Sequence, residues 1–549
     1  MSKGRALLAA VLPAAALVAV AACGGSTSDD KSSTTVAASG PTIASSPWGT
    51  ATGPADGPNP QPGGRMVFGM EAEPEGLDPT KYAFSSSGHF VASAVFDPLA
   101  TLDENGKAVP YLATAIDGSD DHKTWTITLP TGVTFHDGTP LTAKVVADDL
   151  EAYRKSYITQ ANFQDITSIE APDETHVVVK LKTPIVDFPG LLATQAGYVF
   201  APVMLDPNHP VDQPVGTGPF VFQSHTANQN WSFNRNPSYW RKGLPRLDAI
   251  DFRPVPDNAQ RLTSLQNGDL DLINVRSARE INQLLAAPDQ KLVENGAGEE
   301  EFLILNTEKP PFDSLTARKA VATAVDRERW RNEYMQGVDP VVNSPFAPGQ
   351  PGYNEDNGFP AFDLQKAKDL VAEYKQETGK DLEFTYVTQQ DVDVVAESQL
   401  LSQMFTDAGM KVTVTAQPQI NLIANEASGN YQMGRLRLFS TANPDADALT
   451  FWRSTSIAPL VSLNFPRYVD KQVDDSILGA AATTDQATRD KAYQAINKRF
   501  AENLPYVWLG RTKWLLAGDS CVNGFYAGAN GSVETIGPKT WVADLWVSQ

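Results

Sequence analysis

The stretch that decides the fold is GVTFHDGTPLTA, at residues 132–143. Just before it, residues 124–129 read TWTITL and alternate between polar and apolar side chains, which is typical of a half-buried strand. Gly138 can adopt a backbone angle that other residues rarely adopt, and Thr142 is a good N-cap for a following helix. The stretch therefore predicts a tight turn that joins a strand to a helix.

Farther along the chain, a predicted helix that Gly409 ends is followed by an alternating strand over 411–415. Asp363 is a suitable N-cap for an amphipathic helix that Gly379 ends. This order of elements predicts an α/β fold in which helices cover a sheet. The other predicted elements are helices over 316–334, 397–407 and 489–502 and strands over 177–181 and 411–415.

Seven further motifs occur in a characteristic order on either side of residues 132–143. Together with that stretch they resemble the extracellular solute-binding proteins of family 5, which serve peptide, dipeptide and nickel ABC importers. The resemblance covers nearly all of residues 65–549, and its specificity comes from the order of the motifs. They are EPEGLDP (73–79), GTGPF (216–220), NPSYW (236–240), LNT (305–307), RKA (318–320), VDR (325–327) and LPY (504–506).

The resemblance implies an α/β periplasmic-binding-protein fold of type II, with two hinged lobes and an additional inserted domain. It places the crossings between the lobes near 216–219 and 305–307, and it implies that His136 and Asp137 form a folding turn rather than an acid–base pair. The predicted division is lobe I over 65–98, 214–303 and 516–549, the inserted domain over 99–213, and lobe II over 304–515.

The first 22 residues have the features of an export signal, because Lys3 and Arg5 precede an apolar run over residues 6–22. The sequence VAAC at residues 20–23 resembles a bacterial lipobox, which implies a lipid on Cys23. We therefore expect a protein outside the cytoplasm that a lipid anchors to the cell membrane.

Residues 23–64 are rich in Ser, Thr, Ala, Gly and Pro, and we expect them to form a flexible tether. The chain contains two cysteines. If Cys23 carries the lipid, the other cysteine, Cys521, is expected to have no disulfide partner.

The net charge of −21, from 65 acidic and 44 basic side chains, argues against nucleic acid as a partner, because binding to phosphates requires a basic face. No cofactor is expected. The expected partners are a small solute and the permease and ATPase subunits of the importer, with the protein itself a monomer. A metal site is not predicted, because the histidines show no close metal-ligand spacing; they are residues 89, 122, 136, 176, 209 and 225.

The resemblance implies two ligand-binding regions. The first follows EPEGLDP, where residues 82–87 are expected to pair with a peptide backbone as an added strand. Its candidate residues are Tyr82, Phe84, Ser85 and Ser86.

The second region spans residues 436–452. Peptide-binding members have here an aspartate that holds the free amino group, but Ala442 occupies that position, so either Asp445 or Asp447 is expected to replace it. A buried ammonium requires such a paired charge. The candidate residues are Phe439, Ser440, Thr441, Asn443, Asp445 and Trp452.

Several functions remain open at this point. An oligopeptide is the favoured ligand, a sugar or another non-peptide solute is the alternative, and nickel or haem fits less well. A regulatory lipoprotein that does not transport a solute is a further alternative, because Ala442 stands at the position of the expected aspartate. An exported hydrolase is not supported, because the chain has no Gly-x-Ser-x-Gly and its Ser28-x-x-Lys31 lies in the predicted tether without a Lys-Thr-Gly partner.

Overall fold

The computed structural model describes residues 42–46, 49–103, 106–287, 289–295, 299–438, 444–457, 461–524 and 541–548. The predicted signal peptide and Cys23 lie outside these residues. None of the described helices is both long and apolar enough to cross a membrane.

A nine-stranded mixed sheet forms the first lobe. Its strand Arg65–Met70 pairs in parallel with a neighbour on each side, and its side chains Met66, Phe68 and Met70 are fully buried. Because residues two apart in a strand face the same side, these three side chains pack into the core on one face of the sheet. In spatial order the strands are β1 (Thr42–Ser46), β2 (Gly49–Thr52), β14 (Lys291–Asn295), β20 (Trp514–Gly518), β13 (Leu272–Val275), β3 (Arg65–Met70), β12 (Ala249–Pro254), β11 (Asn230–Arg235) and β10 (Phe220–Thr226).

Strands β1 and β2 lie within the range predicted as a flexible tether, and this part of the expectation is wrong. They form an antiparallel hairpin, and β2 pairs with β14 through Ala51 and Val293. Backbone pairing to an existing sheet edge needs few large apolar side chains, which is why composition did not reveal it.

The inserted domain contains the turn at residues 132–143. Gly138 has a φ of 86°, and Thr142 caps the next helix by accepting a hydrogen bond from the Val145 N–H. The His136 ring is half-buried and bridges two backbone groups: it accepts from the Gly216 N–H and donates to the Gly218 carbonyl, 2.9 Å away. The turn therefore has a folding role. The strands of this domain are the sheet β6 (Ala115–Gly118), β7 (Thr124–Thr128), β9 (His176–Leu181) and β8 (Ile166–Glu170) and the hairpin β4 (Ala100–Leu102) and β5 (Ala108–Pro110).

A five-stranded sheet forms the second lobe. Two of its strands pair in parallel and are joined by a helix, which is the usual parallel crossover. The strands in spatial order are β17 (Lys411–Gln417), β16 (Glu383–Gln389), β18 (Met433–Leu438), β15 (Glu300–Leu305) and β19 (Tyr506–Arg511). A short pair, β21 (Val522–Asn523) and β22 (Trp546–Val547), completes the strands of the described residues.

One predicted helix is divided in the structure, and the helix predicted over 397–407 begins earlier, at Val392. Residues 316–334 form two helices rather than one, because Asp326 accepts a hydrogen bond from the Arg329 N–H and caps a new helix. The α-helices are α1 (Ser86–Val95), α2 (Ala143–Lys155), α3 (Phe188–Leu191), α4 (Asn258–Gln266), α5 (Ala278–Leu285), α6 (Leu315–Ala324), α7 (Arg327–Glu333), α8 (Leu364–Thr378), α9 (Val392–Asp407), α10 (Gln419–Ala427), α11 (Asp445–Asp447), α12 (Lys471–Ala481) and α13 (Gln486–Asn503).

The chain passes between the two large sheets at two places, from β14 to β15 and from β19 to β20. The first crossing precedes Glu300 and the second spans residues 511–514, so neither lies at the predicted positions, 216–219 and 305–307; residues 216–219 lead into β10 of the first sheet. β15 ends at Leu305, so the motif at 305–307 lies at the end of this strand that is farther from the crossing.

Cys521 is disulfide-bonded, which corrects the expectation that it has no partner. Its side chain is buried, with 7% exposure. The other cysteine of the chain lies outside the described residues.

Candidate functional site

A cavity of about 370 Å³ lies between the two lobes and the inserted domain. Its walls are mainly apolar, with a small number of charged and polar groups, which is the usual character of a small-ligand site. Lobe I contributes residues 83–86 and His89, the inserted domain contributes residues 158–162 and 187–196 in part, and lobe II contributes parts of α10, β18 and residues 446–465.

The lobe I wall contains three of the predicted site residues, Phe84, Ser85 and Ser86. The fourth, Tyr82, lines a smaller adjoining cavity of about 20 Å³. Ser85 caps α1 by accepting a hydrogen bond from the Gly88 N–H, and Ser86 is already helical.

Residues 82–87 do not have the extended arrangement that the expected strand-like contact requires. The Phe84 N–H donates to the side chain of Gln195 at 2.8 Å, and the Tyr82 carbonyl accepts from the same side chain at 2.6 Å. Because these backbone groups are already paired and a helix follows directly, the segment does not offer a continuous ladder to a ligand.

The lobe II wall contains Leu436, Arg437 and Leu438 of β18. One side of β18 pairs along its whole length with β15. On the other side, the described pairing with β16 is limited to Met433 and Tyr386. The edge of β18 beyond Arg435 is therefore not covered by β16, and Leu436, Arg437 and Leu438 lie at the cavity.

Four predicted site residues, Phe439, Ser440, Thr441 and Asn443, lie outside the described residues. The position of Ala442 lies there as well.

Asp445 is in the protein interior and does not line the cavity. Its carboxylate accepts a hydrogen bond from Arg489 at 3.0 Å and another from the hydroxyl of Tyr493. Since both partners are buried neighbours, this carboxylate serves an internal ion pair. Asp447, the other candidate to replace the expected aspartate, is half-buried and lines the cavity.

Trp452 is also an interior residue rather than a ligand-stacking one. Its ring packs edge-to-face on Phe346 and Phe500, with centroid distances of 5.6 and 5.4 Å. The preceding residue, Phe451, lines the cavity instead. Residues 448–452 form a π-helical turn, which rotates the side chains away from ordinary α-helical spacing.

The two arginines of β18 are each compensated by carboxylates. Arg435 forms ion pairs with Glu301 and with Glu397, the latter at 2.6 Å, and burial raises the pKa of Glu397 to about 7. Arg437 pairs with Glu299 at 3.2 Å, and burial raises the pKa of Glu299 above its ordinary value. The arginines are thereby held in place at the first crossing between the lobes.

Sequence reasoning missed the inserted domain's share of the cavity. Asn162, Asp187 and Gln195 all line it. The sequence around these three residues contains no recognisable motif. They face the cavity only because distant parts of the chain pack together in the fold.

The sequence of residues 107–458 matches the family model of the bacterial extracellular solute-binding proteins, family 5. A glutathione-binding protein of Pectobacterium atrosepticum is 28% identical over 464 residues, which cover 82% of this chain and 89% of that protein. A nickel-binding periplasmic protein of Escherichia coli K12 is 26% identical over 454 residues, covering 78% and 85% of the two chains.

Solved structures show the same architecture. A periplasmic binding protein from A. tumefaciens in complex with agropinic acid has a TM-score of 0.81 and 26% identity, covering 88% of this chain and 99% of that one. The Helicobacter pylori protein DppA in complex with a peptide has a TM-score of 0.80 and 22% identity, covering 89% and 99%. The predicted type II fold is confirmed.

Proteins of this family bind solutes outside the cytoplasm for ABC importers and are not enzymes, which removes the hydrolase alternative. The chain belongs to the bacterial extracellular solute-binding proteins, family 5, and is the substrate-binding protein of an ABC importer.

Proposed function

We propose that this protein captures a short peptide-like solute by closing its two lobes around it and delivers that solute to the importer's permease. The observation that carries the proposal is the uncovered edge of β18 at the cavity between the lobes. An extended peptide can add to such an edge, with its backbone supplying affinity and its side chains filling pockets.

The direction of the backbone groups supports this arrangement. The Arg435 N–H points towards the buried carboxyl group of Glu426, on the side of β18 away from β15. Because residues two apart in a strand direct their backbone groups to the same side, the N–H and carbonyl of Arg437 also point to the uncovered edge. A peptide backbone can pair with them there.

Asp447 is our candidate to hold the amino terminus of the peptide. It lines the cavity, whereas Asp445 lies in the interior and does not. A carboxylate at the cavity wall offsets the desolvation cost of an enclosed ammonium group.

The known ligands of the relatives are chemically diverse, and one of them is a peptide. The relative from P. atrosepticum is named for glutathione, which is a tripeptide, and the A. tumefaciens structure holds agropinic acid. We favour a peptide because the β18 edge recognises a backbone, and a compound of the agropinic acid type is the alternative.

Isothermal titration calorimetry of residues 24–549 tests the proposal. Separate equimolar pools of dipeptides, tripeptides and tetrapeptides are titrated into the protein, with the same pools N-acetylated as matched controls. We expect saturable heat with at least one unmodified pool and weaker binding of its acetylated form. Binding of agropinic acid with no response to any peptide pool would exclude the peptide assignment.

We further propose that the protein acts as a monomer anchored through a lipid on Cys23. Because a lipid thioether and a disulfide both use the cysteine sulfur, the anchored form and the form with a Cys521 disulfide are two different covalent states of a chain with two cysteines, and this proposal concerns the anchored form. The mass of the N-terminal tryptic peptide decides between them. A diacylglycerol mass on that peptide, and release of Cys23→Ala from membranes, are the expected results; an unmodified peptide would exclude the anchor.

Transport and regulation are distinguished by uptake. We expect cells that lack the permease to lose uptake of the bound peptide while the purified protein still binds it. Unchanged uptake would favour a regulatory role.

A further inference from the structure

One side chain of the inserted domain makes three hydrogen bonds to the backbone of lobe I. The Gln195 Nε2 donates to the Pro79 carbonyl at 2.8 Å and to the Tyr82 carbonyl at 2.6 Å. Its Oε1 accepts from the Phe84 N–H at 2.8 Å. The amide therefore uses both donors and its acceptor on one short segment.

That segment, residues 79–84, has no helix or strand to fix its shape. Its first part is held locally, because the Lys81 and Tyr82 N–H groups both donate to the Asp78 carbonyl. The last part leads directly into Phe84 and Ser85, which line the cavity. The bonds from Gln195 thus act where the segment becomes the cavity wall.

Gln195 itself stands on a closely packed turn. The Thr194 hydroxyl accepts from the Ala196 N–H and donates to the Leu191 carbonyl at 2.7 Å. A Cβ on Gly197 would lie 1.8 Å from the Leu192 carbonyl oxygen, so the backbone approaches too closely for a side chain. The turn is a firm support for the amide.

A second side chain of the same domain adds to this contact. The Ser156 hydroxyl donates to the Thr80 carbonyl at 2.6 Å. The segment is therefore attached to the inserted domain at several points, and Gln195 is the one of these side chains that also lines the cavity.

We propose that Gln195 is a positioning residue that fixes the lobe I wall, residues 82–85, in the shape that receives the solute; the effect on ligand affinity rests on the proposed function. The three hydrogen bonds to this segment require a side chain with two donor hydrogens and one acceptor oxygen, and the amide of glutamine has both. Glutamate keeps the acceptor and loses the donors, and methionine loses both.

Hydrogen exchange of the intact protein tests the positioning without any ligand. In Gln195→Met we expect exchange in residues 80–85 to rise at least about tenfold, because the Phe84 N–H loses its acceptor. In Gln195→Glu the Phe84 amide should stay protected. Gln164→Met is the matched control, since the Gln164 amide donates within its own domain, to the Ala161 carbonyl at 3.1 Å.

Calorimetry with the tripeptide pool tests the consequence for binding. We expect Gln195→Met to weaken binding about tenfold or more through lost preorganisation, with Gln164→Met unchanged. Unchanged exchange in residues 80–85 of Gln195→Met, or faster exchange with unchanged affinity, would overturn the inference. If the wild type binds no pool, the peptide assignment fails while the exchange result still decides whether Gln195 fixes the wall.

Discussion

Arg453 of the second lobe forms a buried ion pair with Asp165 of the inserted domain. Asp165 also accepts a hydrogen bond from the Thr183 hydroxyl at 2.8 Å. Nearby, the Val186 N–H donates to the Ala481 carbonyl at 2.7 Å, again from the inserted domain to the second lobe. The Arg453–Asp165 pair and the Val186–Ala481 hydrogen bond both join the inserted domain to the second lobe, so we expect them to stabilise the closed arrangement.

Removing this ion pair should favour opening. In Asp165→Asn the buried Arg453 loses its charged partner, at a cost of about 3 kcal/mol to the closed arrangement. We expect a larger radius of gyration by small-angle X-ray scattering in the absence of solute. Lys182→Gln is the control, because Lys182 is exposed and lies 3.6 Å from Asp165. Identical scattering for Asp165→Asn and wild type would contradict this role.

Short-range features were predictable from the sequence, because they depend on residues a few positions apart. The Thr142 cap, the Gly138 turn and the Asp363-to-Gly379 helix are all present. The order of the motifs also indicated the family and the fold.

The cavity was harder to predict, because it depends on contacts between distant residues. Gln195 meets Phe84 across 111 positions, and no local pattern signals that approach. In the second lobe, Phe451 rather than Trp452 lines the cavity, and both belong to the π-helical turn at 448–452. Asp445 and Asp447 differ in environment although they are two residues apart.

Asp447→Asn should weaken binding of peptides that have a free amino terminus. The substitution keeps the size of the side chain and removes the negative charge at the cavity wall, so we expect a loss of at least about tenfold in affinity. Calorimetry with the tripeptide pool measures this loss. The N-acetylated pool should bind both proteins equally; equal losses for both pools would show that Asp447 does not recognise the ammonium group.

Asp445→Asn should act on stability. Arg489 and Tyr493 would lose their buried carboxylate, and we expect the free energy of unfolding to fall by about 3 kcal/mol in urea denaturation. The control is Asp475→Asn, whose exposed pair with Lys471 should contribute less than about 1 kcal/mol. Unchanged stability in Asp445→Asn would contradict the internal role.

Asp339 should make stability depend on pH. Burial raises its pKa from 3.8 to about 7, so the folded protein binds this proton more tightly than the unfolded chain does. Its stabilising contribution is therefore complete below about pH 4 and is lost as the pH rises to about 7. The amide in Asp339→Asn does not titrate, so this variant does not lose stability in this way as the pH rises.

Urea denaturation at pH 5 and pH 8 measures this effect. Between the two values, the stability of Asp339→Asn relative to wild type should improve by about 2 kcal/mol. Asp381→Asn is the control, because hydrogen bonds from Lys375 and Lys411 lower the pKa of that exposed carboxylate to about 2, below the tested range. If the difference in the free energy of unfolding between Asp339→Asn and wild type is the same at pH 5 and pH 8, this titration is ruled out.

Native mass spectrometry of the protein purified from its own cells tests solute capture most directly. Our account predicts a mass excess of one small molecule, released on collisional activation and identified by fragmentation as a peptide-like compound. A bare polypeptide mass that stays unchanged after incubation with the di-, tri- and tetrapeptide pools would contradict it.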